Sequence, residues 1–322
     1  MKNALDLLTP ARSSASSVRA KISPYLNKTT LLRSEKLDEI LGAKIVVASE
    51  TFQHTGSFKF RAAISVATHT TESHLVTASS GNFGAALARA AKLTHKKCTV
   101  IMPSTSSAVK IESVKSYGAD VDMIDVGKVS RASRLAELAE KIPDARSCSP
   151  YDDAFVIAGN ASLGFEILEA LSPDVILAPV GGGGLSSGIV VARDEKKSSA
   201  LVVGAEPKIA NDASRSLREK KRVANESEPQ TIADGARTLS LGELNFEILS
   251  DGLTEIVEVT EDEIAEAVRL LFSALHLQVE PTGALSVGAL IANRAKFTNK
   301  NVVCVASGAN VDAQLYAKII SS

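Results

Sequence analysis

The sequence is poor in aromatic and sulfur-containing residues: it has no tryptophan, three cysteines and three methionines among 322 residues. Cys98, Cys148 and Cys304 are odd in number, lie far apart and never form a Cys-x-x-Cys pair. This spacing argues against a disulfide framework and against a zinc site. Cys98 and Cys304 fall in strand-like runs, where a cysteine is usually a small core residue. We therefore expect a protein of a reducing compartment, the cytoplasm.

Excess charge and long apolar segments are also lacking. Lysine and arginine number 36 and aspartate and glutamate 37, which gives a net charge of −1. Nothing in this balance indicates the basic surface that binds nucleic acid or an anionic membrane. No apolar run reaches the roughly 18 residues of a membrane-spanning helix, and the N-terminus lacks the continuous apolar stretch of a secretory signal. The sequence predicts a globular protein with neither nucleic acid nor membrane as a partner.

What the sequence does have is a regular alternation of strand-like and helix-like segments. Short runs rich in β-branched residues occur at 44–49, 75–79, 98–102, 120–125, 174–180, 200–206, 255–259 and 301–306. Several are apolar almost throughout, as strands buried on both faces are. Helix-like stretches lie between them, among them 83–92, 130–141 and 261–275. This order predicts an α/β fold with parallel sheets and right-handed crossovers.

Length and strand spacing predict two domains. A chain of 322 residues is longer than one hydrophobic core usually supports. The strands near 75, 98 and 120 follow one another closely, as in a compact set of βαβ units. We predict a small domain at 72–150 and a large domain formed by 1–71 and 151–322.

Lys59 is the first residue that suggests chemistry. It lies between Phe58 and Phe60 at a predicted helix start. Apolar neighbours would desolvate the amine and lower its pKa, as a Schiff-base lysine requires. An ordinary lysine with a buried stem is the alternative, and taken alone it is the better interpretation.

A run of four glycines is the second such feature. Gly181, Gly182, Gly183 and Gly184 follow a buried strand and precede a helix that continues with Leu185. Backbone without Cβ atoms lets several N–H groups converge on one phosphate, with the helix dipole behind them. A flexible turn is the alternative, but ordering four glycines costs considerable entropy. The pattern is neither a Walker A loop nor a dinucleotide fingerprint.

Two more strand ends carry polar residues. The run Ser79, Ser80, Gly81 and Asn82 joins a strand to a helix, where backbone N–H groups can hold a carboxylate. Serine and asparagine are also ordinary helix caps, so this signal is weak by itself. Ser307 follows the last strand, and open α/β sheets bind ligands at such ends. A strand-to-helix turn capped by serine is the alternative there.

Together these motifs resemble a known family. The runs SFKFRAA, SSGNFG, GGGGL, TIADG, TEDEI, EPTGA and VASGAN, in this order, resemble the fold type II pyridoxal-phosphate (PLP) enzymes, and within them the serine racemase and serine/threonine dehydratase branch. The resemblance extends from about residue 20 to the end of the chain. It implies a tryptophan synthase β-like fold, with two parallel-sheet domains and the cofactor between them. The tetraglycine run favours this branch over the cysteine synthases, which usually have threonines there.

The resemblance implies a role for each motif residue. Lys59 would hold PLP as a Schiff base and move the α-proton. Ser80 would act as acid or base on the opposite face, as in racemases, although a role limited to binding the substrate carboxylate is nearly as well supported. The implied cofactor contacts are Phe58, Lys59, Asn82, Gly181, Gly182, Gly183, Gly184, Leu185 and Ser307. The implied substrate contacts are Ser79, Ser80, Gly81, Asn82, Asp234 and Thr238.

A divalent cation and a second protomer are implied as well. Glu206, the carbonyl of Ala210 and Asp212 match the cation site of the family, and hard oxygen ligands suit Mg²⁺ or Ca²⁺. Solvated acidic residues on a surface loop are the alternative to such a site. The resemblance also implies a homodimer.

The implied activity is α,β-elimination by a PLP-dependent ammonia-lyase. Serine, threonine or 3-hydroxyaspartate would yield an α-keto acid and ammonia. Racemization of serine or aspartate is an alternative, because two bases on opposite faces permit it. A β-replacement synthase and a non-catalytic PLP-binding protein are further alternatives. Residues 157–162 read IAGNAS where members usually read IAGQGT, and residues 307–310 read SGAN in place of SGGN, which leaves the substrate open.

Overall fold

The computed structural model describes residues 14–79 and 81–322, and within them the chain forms two sheets. The strands, in chain order, are β1 Thr30–Leu32, β2 Lys44–Ser49, β3 His74–Ala78, β4 Lys97–Pro103, β5 Asp120–Ile124, β6 Ala145–Ser147, β7 Val175–Pro179, β8 Leu201–Pro207, β9 Glu255–Val259 and β10 Asn301–Ala306. The first sheet has the order β1-β2-β10-β7-β8-β9 and the second β5-β4-β3-β6. Neighbouring strands are parallel except β1, which is antiparallel to β2.

At least one helix lies between each pair of consecutive strands. They are α1 Ala15–Ile22, α2 Glu35–Leu41, α3 Lys59–His69, α4 Asn82–Leu93, α5 Ala108–Lys115, α6 Arg131–Lys141, α7 Ala154–Ala170, α8 Gly184–Glu195, α9 Asp212–Glu219, α10 Glu243–Gly252, α11 Glu261–Leu275, α12 Pro281–Ala292, α13 Arg294–Phe297 and α14 Ala313–Ser321. Short 3₁₀ turns lie at Ser23–Tyr25, His54–Gly56, Lys208–Ala210 and Asp234–Ala236.

The predicted α/β class with parallel sheets in two domains is confirmed. Each of the eight predicted strands is present within two residues of its predicted ends. The predicted helix at 261–275 is α11, which begins with a capping box in which Thr260 and Glu263 bond reciprocally. The structure adds the strands β1 and β6, which the sequence does not predict. The second sheet draws all its strands from residues 74–147. The domain boundaries at 71/72 and 150/151 stay a prediction.

The order of the first sheet determines where the predicted motifs meet. Its neighbours β2, β10 and β7 run parallel, so their carboxyl ends lie at one edge. The Lys59 segment follows β2, Ser307 follows β10, and the glycine run follows β7. Segments far apart in the chain are therefore neighbours at this edge, as expected for a ligand site in an open α/β sheet.

A buried ion network fixes the helix that begins at Lys59. Arg61, with 0% of its surface exposed, donates to Glu50 at 2.7 Å and to Glu166 at 3.0 Å. Glu50 directly follows β2 and Glu166 lies on α7. The guanidinium thus ties α3 to the end of β2 and to α7, which holds the start of α3 in place.

The three cysteines are buried and free, in agreement with the sequence. Burial raises the pKa of the Cys148 thiol to about 12, so it is protonated and unreactive at neutral pH. Within residues 14–79 and 81–322, no helix combines the length and the apolar character needed to cross a membrane.

Candidate active site

The amine of Lys59 lies at the first turn of α3, next to a backbone carbonyl. Its Nζ donates a 2.6 Å hydrogen bond to the carbonyl oxygen of Pro150. The side chain is only partly exposed, and burial lowers the pKa of the amine to about 8, partly offset by the negative potential of Glu280. A sizeable neutral fraction near neutral pH is what a Schiff-base or general-base lysine needs.

The aromatic groups near this amine differ in part from those expected from the sequence. The Lys59 nitrogen lies 5.0 Å from the centroid of the Phe58 ring and 5.9 Å from that of Phe83. Phe60, its other neighbour in the sequence, packs edge-on against His54 at 5.1 Å instead. The second ring near the amine therefore comes from α4, across from α3.

The tetraglycine run is a tightly enclosed cradle. A Cβ atom at Gly182 would lie 2.3 Å from the ring of Tyr151, and one at Gly184 would lie 2.8 Å from the Tyr151 carbonyl oxygen. Gly183 has a φ of +93°, and its Cβ would lie 2.8 Å from Asn245. Any side chain here would collide with its surroundings, and the positive φ would strain an L-residue. Leu185, one residue into α8, is buried.

The cradle and the lysine lie on either side of one short segment. Pro150 accepts from Lys59, while the next residue, Tyr151, covers Gly182. Asn245 joins this segment to the cradle, because its amide nitrogen donates to the carbonyls of Tyr151 and Gly182 at 3.0 and 2.8 Å. Lys59 and the glycine run are thereby both connected to the adjacent residues Pro150 and Tyr151.

Ser307 lies beside the lysine segment. Its carbonyl accepts from the Phe58 amide at 3.0 Å, and Gly308 forms an isolated bridge with Ser57. Ser307 is buried, with 1% exposed. The end of β10 is thereby fixed to the turn that precedes Lys59, as the predicted common site requires.

The loop at 79–82 comes from the second sheet. Gly81 is the N-cap of α4 and Asn82 its first residue, so backbone N–H groups of the first helical turn are available there. An added Cβ at Gly81 would meet no atom within 4 Å. Ser79 is partly buried. Ser80, the predicted second acid or base, lies outside the described residues.

Asn82 has partners on the first-sheet side of the molecule. Its amide nitrogen lies 2.9 and 3.1 Å from the two carboxyl oxygens of Glu280, and its amide oxygen accepts from Asn310 at 2.8 Å. Glu280 is 3% exposed. Burial raises the pKa of Glu280 to about 8, and the charge of Asp234 adds to this effect.

The two other predicted substrate residues have different surroundings. Asp234 lies 3.3 Å from the Lys110 ammonium, with 45% of each side chain exposed. The next residue, Gly235, has its carbonyl 2.9 Å from where a Cβ of Gly181 would be, so this turn borders the cradle. The Thr238 carbonyl accepts from Asn225 at 3.3 Å, and Asn225 also donates to Asp212. Thr238 is thus linked to the predicted cation residues.

The predicted cation residues form a buried acidic pair. Glu206, Ala210 and Asp212 are 1%, 2% and 2% exposed. Burial raises the pKa of Asp212 to about 7 and that of Glu206 well above its ordinary value. One carboxylate oxygen of Asp212 is buried without a hydrogen-bond partner. Among the described residues, no group of three or more His, Cys, Asp and Glu side chains is arranged to hold a metal.

Two residues at which the sequence differs from the family pattern, Asn160 and Ser162, contact the cradle and the buried arginine. Asn160 donates to the Gly184 carbonyl at 3.0 Å. Ser162 accepts from Arg61 at 2.9 Å. Both residues are 0% exposed. Their contacts are with the scaffold, so they give no direct information on the substrate.

Comparison with known proteins identifies the family. The family model described as pyridoxal-phosphate dependent enzyme matches residues 22–308.

The chain belongs to the pyridoxal-phosphate-dependent enzyme family.

Relatives of this PLP enzyme cover almost its whole length. It is 33% identical over 321 residues to a serine racemase of Schizosaccharomyces pombe, a match that covers 98% of this chain and 99% of that protein. It is 32% identical to an L-threo-3-hydroxyaspartate ammonia-lyase of Saccharomyces cerevisiae, with 98% of both chains covered. The crystal structure of a T.th. threonine deaminase matches with a TM-score of 0.88 and 38% identity, over 92% of this chain and 97% of that one. The resemblance to fold type II PLP enzymes is confirmed.

The residues of the PLP enzyme fit its cofactor. The glycine cradle excludes every side chain and presents backbone at the start of α8, which suits a phosphate. The lowered pKa of Lys59 suits a covalent bond to an aldehyde.

Sequence reasoning missed several residues that surround this site, namely Phe83, Pro150, Tyr151, Asn245, Glu280 and Asn310. Glu280 and Asn310 stand in the EPTGA and VASGAN runs, and a glutamate directly before a helix-starting proline is a usable signal. Nothing in the sequence indicates that both would contact Asn82.

Proposed function

We propose that this PLP enzyme catalyses α,β-elimination on a small β-hydroxy amino acid, giving an α-keto acid and ammonia. Serine, threonine and 3-hydroxyaspartate are the candidate substrates. The observation that carries the proposal is the Lys59 amine, which has a pKa lowered to about 8 and lies beside the segment that covers the glycine cradle. The relatives named hydroxyaspartate ammonia-lyase and threonine deaminase support it.

The cofactor supplies an electron sink for the α-carbon, and the chain holds it in place. Gly181, Gly182, Gly183, Gly184 and Leu185 would bind the phosphate through the backbone at the start of α8. Phe58, Asn82 and Ser307 would contact the ring, with Asn82 donating to the ring oxygen. Ser307 would offer a neutral hydroxyl to the ring nitrogen. Without a carboxylate partner that nitrogen need not be protonated, which makes the sink weaker.

Lys59 then takes the α-proton in its neutral form. The Pro150 carbonyl orients the amine, and the Phe58 and Phe83 rings lie near it as apolar neighbours. The loop Ser79, Ser80, Gly81 and Asn82 would bind the substrate carboxylate at the start of α4. Asp234 and Thr238 would lie toward the substrate side chain.

A divalent cation would serve the fold. Glu206, the Ala210 carbonyl and Asp212 would provide oxygen ligands to Mg²⁺ or Ca²⁺. The unpartnered Asp212 oxygen and the raised pKa values of both carboxyl groups support this, since a cation would relieve the cost of burying them.

The test is a substrate screen of purified protein with PLP and Mg²⁺. D- and L-serine, D- and L-threonine and 3-hydroxyaspartate are supplied one at a time, and keto acid, ammonia and enantiomer are measured separately. Elimination predicts keto acid and ammonia in equal amounts without any added thiol. Ammonia release only with a thiol present would indicate β-replacement instead. No turnover of any substrate, with PLP bound, would indicate a non-catalytic PLP-binding protein.

Racemization is the second candidate, favoured by the relative named serine racemase at 33% identity and by a serine at position 80. Ser80→Ala separates the two activities. If Ser80 is the second base, this variant loses racemization and keeps elimination. Equal loss of both would assign Ser80 to carboxylate binding.

A further inference from the structure

Glu280 is a buried carboxyl group without an assigned role. It precedes Pro281 at the start of α12, and its side chain has 3% of its surface exposed. Its two oxygens lie 2.9 and 3.1 Å from the amide nitrogen of Asn82. Burying a carboxyl group is costly unless its oxygens are hydrogen-bonded. The contact with Asn82 therefore offsets part of the cost of burying Glu280.

The opposite side of the Asn82 amide is held as firmly. Asn310 donates from its amide nitrogen to the Asn82 oxygen at 2.8 Å and to the Thr55 carbonyl at 2.7 Å. With its oxygen toward Asn310 and its nitrogen toward Glu280, the Asn82 amide has one orientation. The amide nitrogen has a second N–H, which can be donated to a ring oxygen of PLP.

The surrounding backbone is shaped around these two partners. A Cβ at Gly308 would lie 2.7 Å from a Glu280 carboxyl oxygen, and a Cβ at Gly56 would lie 2.6 Å from the Asn310 amide oxygen. The Glu280 amide also donates to the Gly308 carbonyl at 3.0 Å. Glycine at these positions leaves the space that the two side chains occupy.

The contacts also join the two sheets. Asn82 begins α4, directly after β3 of the second sheet, whereas Glu280 and Asn310 belong to segments beside β10 of the first sheet. Asn82, which would donate to the PLP ring oxygen, is thus held by two residues of the first-sheet side.

We propose that Glu280 is a positioning residue, whose carboxyl group orients the Asn82 amide toward the ring oxygen of PLP and fixes the start of α4 against the first sheet. Its carboxyl oxygens accept from the Asn82 N–H, and burial together with the charge of Asp234 raises the pKa of this carboxyl group to about 8. The inference rests on the proposed PLP contacts and not on the choice between elimination and racemization.

Four variants test it through the affinity for PLP, read from the visible band of lysine-bound PLP during titration of apo-protein without substrate. Glu280→Gln keeps a side-chain oxygen that can accept from Asn82 on a side chain of the same length, so PLP affinity stays within about threefold of wild type. Glu280→Ala and Glu280→Asp lose the contact with Asn82, and PLP affinity falls about tenfold to a hundredfold. Glu280→Asp keeps the acid and the helix start, so it remains informative if Glu280→Ala does not fold.

The fourth variant, Asn82→Ala, tests whether Glu280 acts through Asn82. Adding Glu280→Ala to Asn82→Ala should cause no further loss of PLP affinity, because the effects of coupled residues are not additive. Glu263→Gln, at the start of α11 and outside the cleft, is the matched control and should bind PLP like wild type.

Three outcomes would overturn the inference. The first is that Glu280→Ala has the PLP affinity and the visible band of wild type. The others are that Glu280→Gln and Glu280→Ala lose equal PLP affinity, or that the losses of Asn82→Ala and Glu280→Ala add up in the double variant. If wild-type protein forms no band of lysine-bound PLP, the proposed function fails together with the inference. A normal wild-type band with an insensitive Glu280 overturns the inference alone.

Discussion

The Lys59 amine and the carbonyl oxygen of Pro150 lie 2.6 Å apart, and this contact organises the site. Tyr151, the residue after Pro150, packs its ring against Gly182. The reactive nitrogen and the phosphate cradle are thereby set relative to each other by two adjacent residues.

Lys59 should titrate far below an exposed lysine. Burial lowers the pKa of its amine to about 8 from an ordinary 10.5, so at pH 7 the neutral fraction rises by roughly two orders of magnitude. Only the neutral amine attacks an aldehyde. The rate at which apo-protein incorporates PLP should increase with pH, reach half its maximum near the pKa of about 8, and level off at about one pH unit above it. A stopped-flow absorbance series at constant PLP measures it, and a rate that keeps rising to pH 10 would contradict the shift.

The glycine cradle should not tolerate a single methyl group. In Gly183→Ala the Cβ would lie 2.8 Å from Asn245 at a φ of +93°, so we expect PLP affinity to fall at least about tenfold. Gly118→Ala is the matched control, because Gly118 also has a positive φ of +82° but no atom within 4 Å of its Cβ. The control should lose about 1 kcal/mol of stability and bind PLP normally. Equal PLP affinity in both variants would count against the cradle.

Arg61 should be essential for stability. Arg61→Ala leaves the buried Glu50 carboxylate without its counter-ion, which costs about 3–5 kcal/mol. Arg294→Ala removes a solvent-exposed pair with Glu266 and should cost less than about 1 kcal/mol. Urea denaturation of the two apo-proteins measures the difference. Similar free energies of unfolding would show that the Arg61 network does not stabilise the fold.

The buried acidic pair should respond to divalent cations. Mg²⁺ or Ca²⁺ at about a hundredfold excess over its Kd should stabilise chelator-treated protein by about 2.7 kcal/mol. Asp212→Asn should abolish this gain, and without metal it should be at least as stable as wild type because one buried carboxylate is removed. Asp120→Asn, an exposed aspartate of β5, should respond like wild type. Thermal melts with and without metal test all three, and a cation response that survives in Asp212→Asn would exclude this site.

Strands that are long and apolar could be predicted from the sequence, and the short ones could not. Central strands such as β7 are buried on both faces, so their residues show it as an apolar run. The strands β1 and β6 have three residues each, too few for any periodicity. The glycine run and Ser307 follow strands, as predicted, but the sheet order that brings them to one edge comes from the structure.

The partners of the site residues could not be predicted, because they depend on tertiary packing. Asn82 and Glu280 are 198 positions apart in the chain, and no local pattern encodes their contact. Sequence adjacency also misled in one case: Phe60 neighbours Lys59 in the chain, but its ring faces His54, and Phe83 from another helix lies near the amine instead.

The central claim is that Lys59 forms the covalent bond with PLP. Borohydride reduction of the PLP-loaded protein, followed by proteolysis and mass spectrometry of the peptides, tests it most directly. We predict a pyridoxyl group on Lys59 alone and none in Lys59→Ala. A pyridoxyl group on a different lysine, or an unmodified Lys59 in protein that has bound PLP, would contradict it.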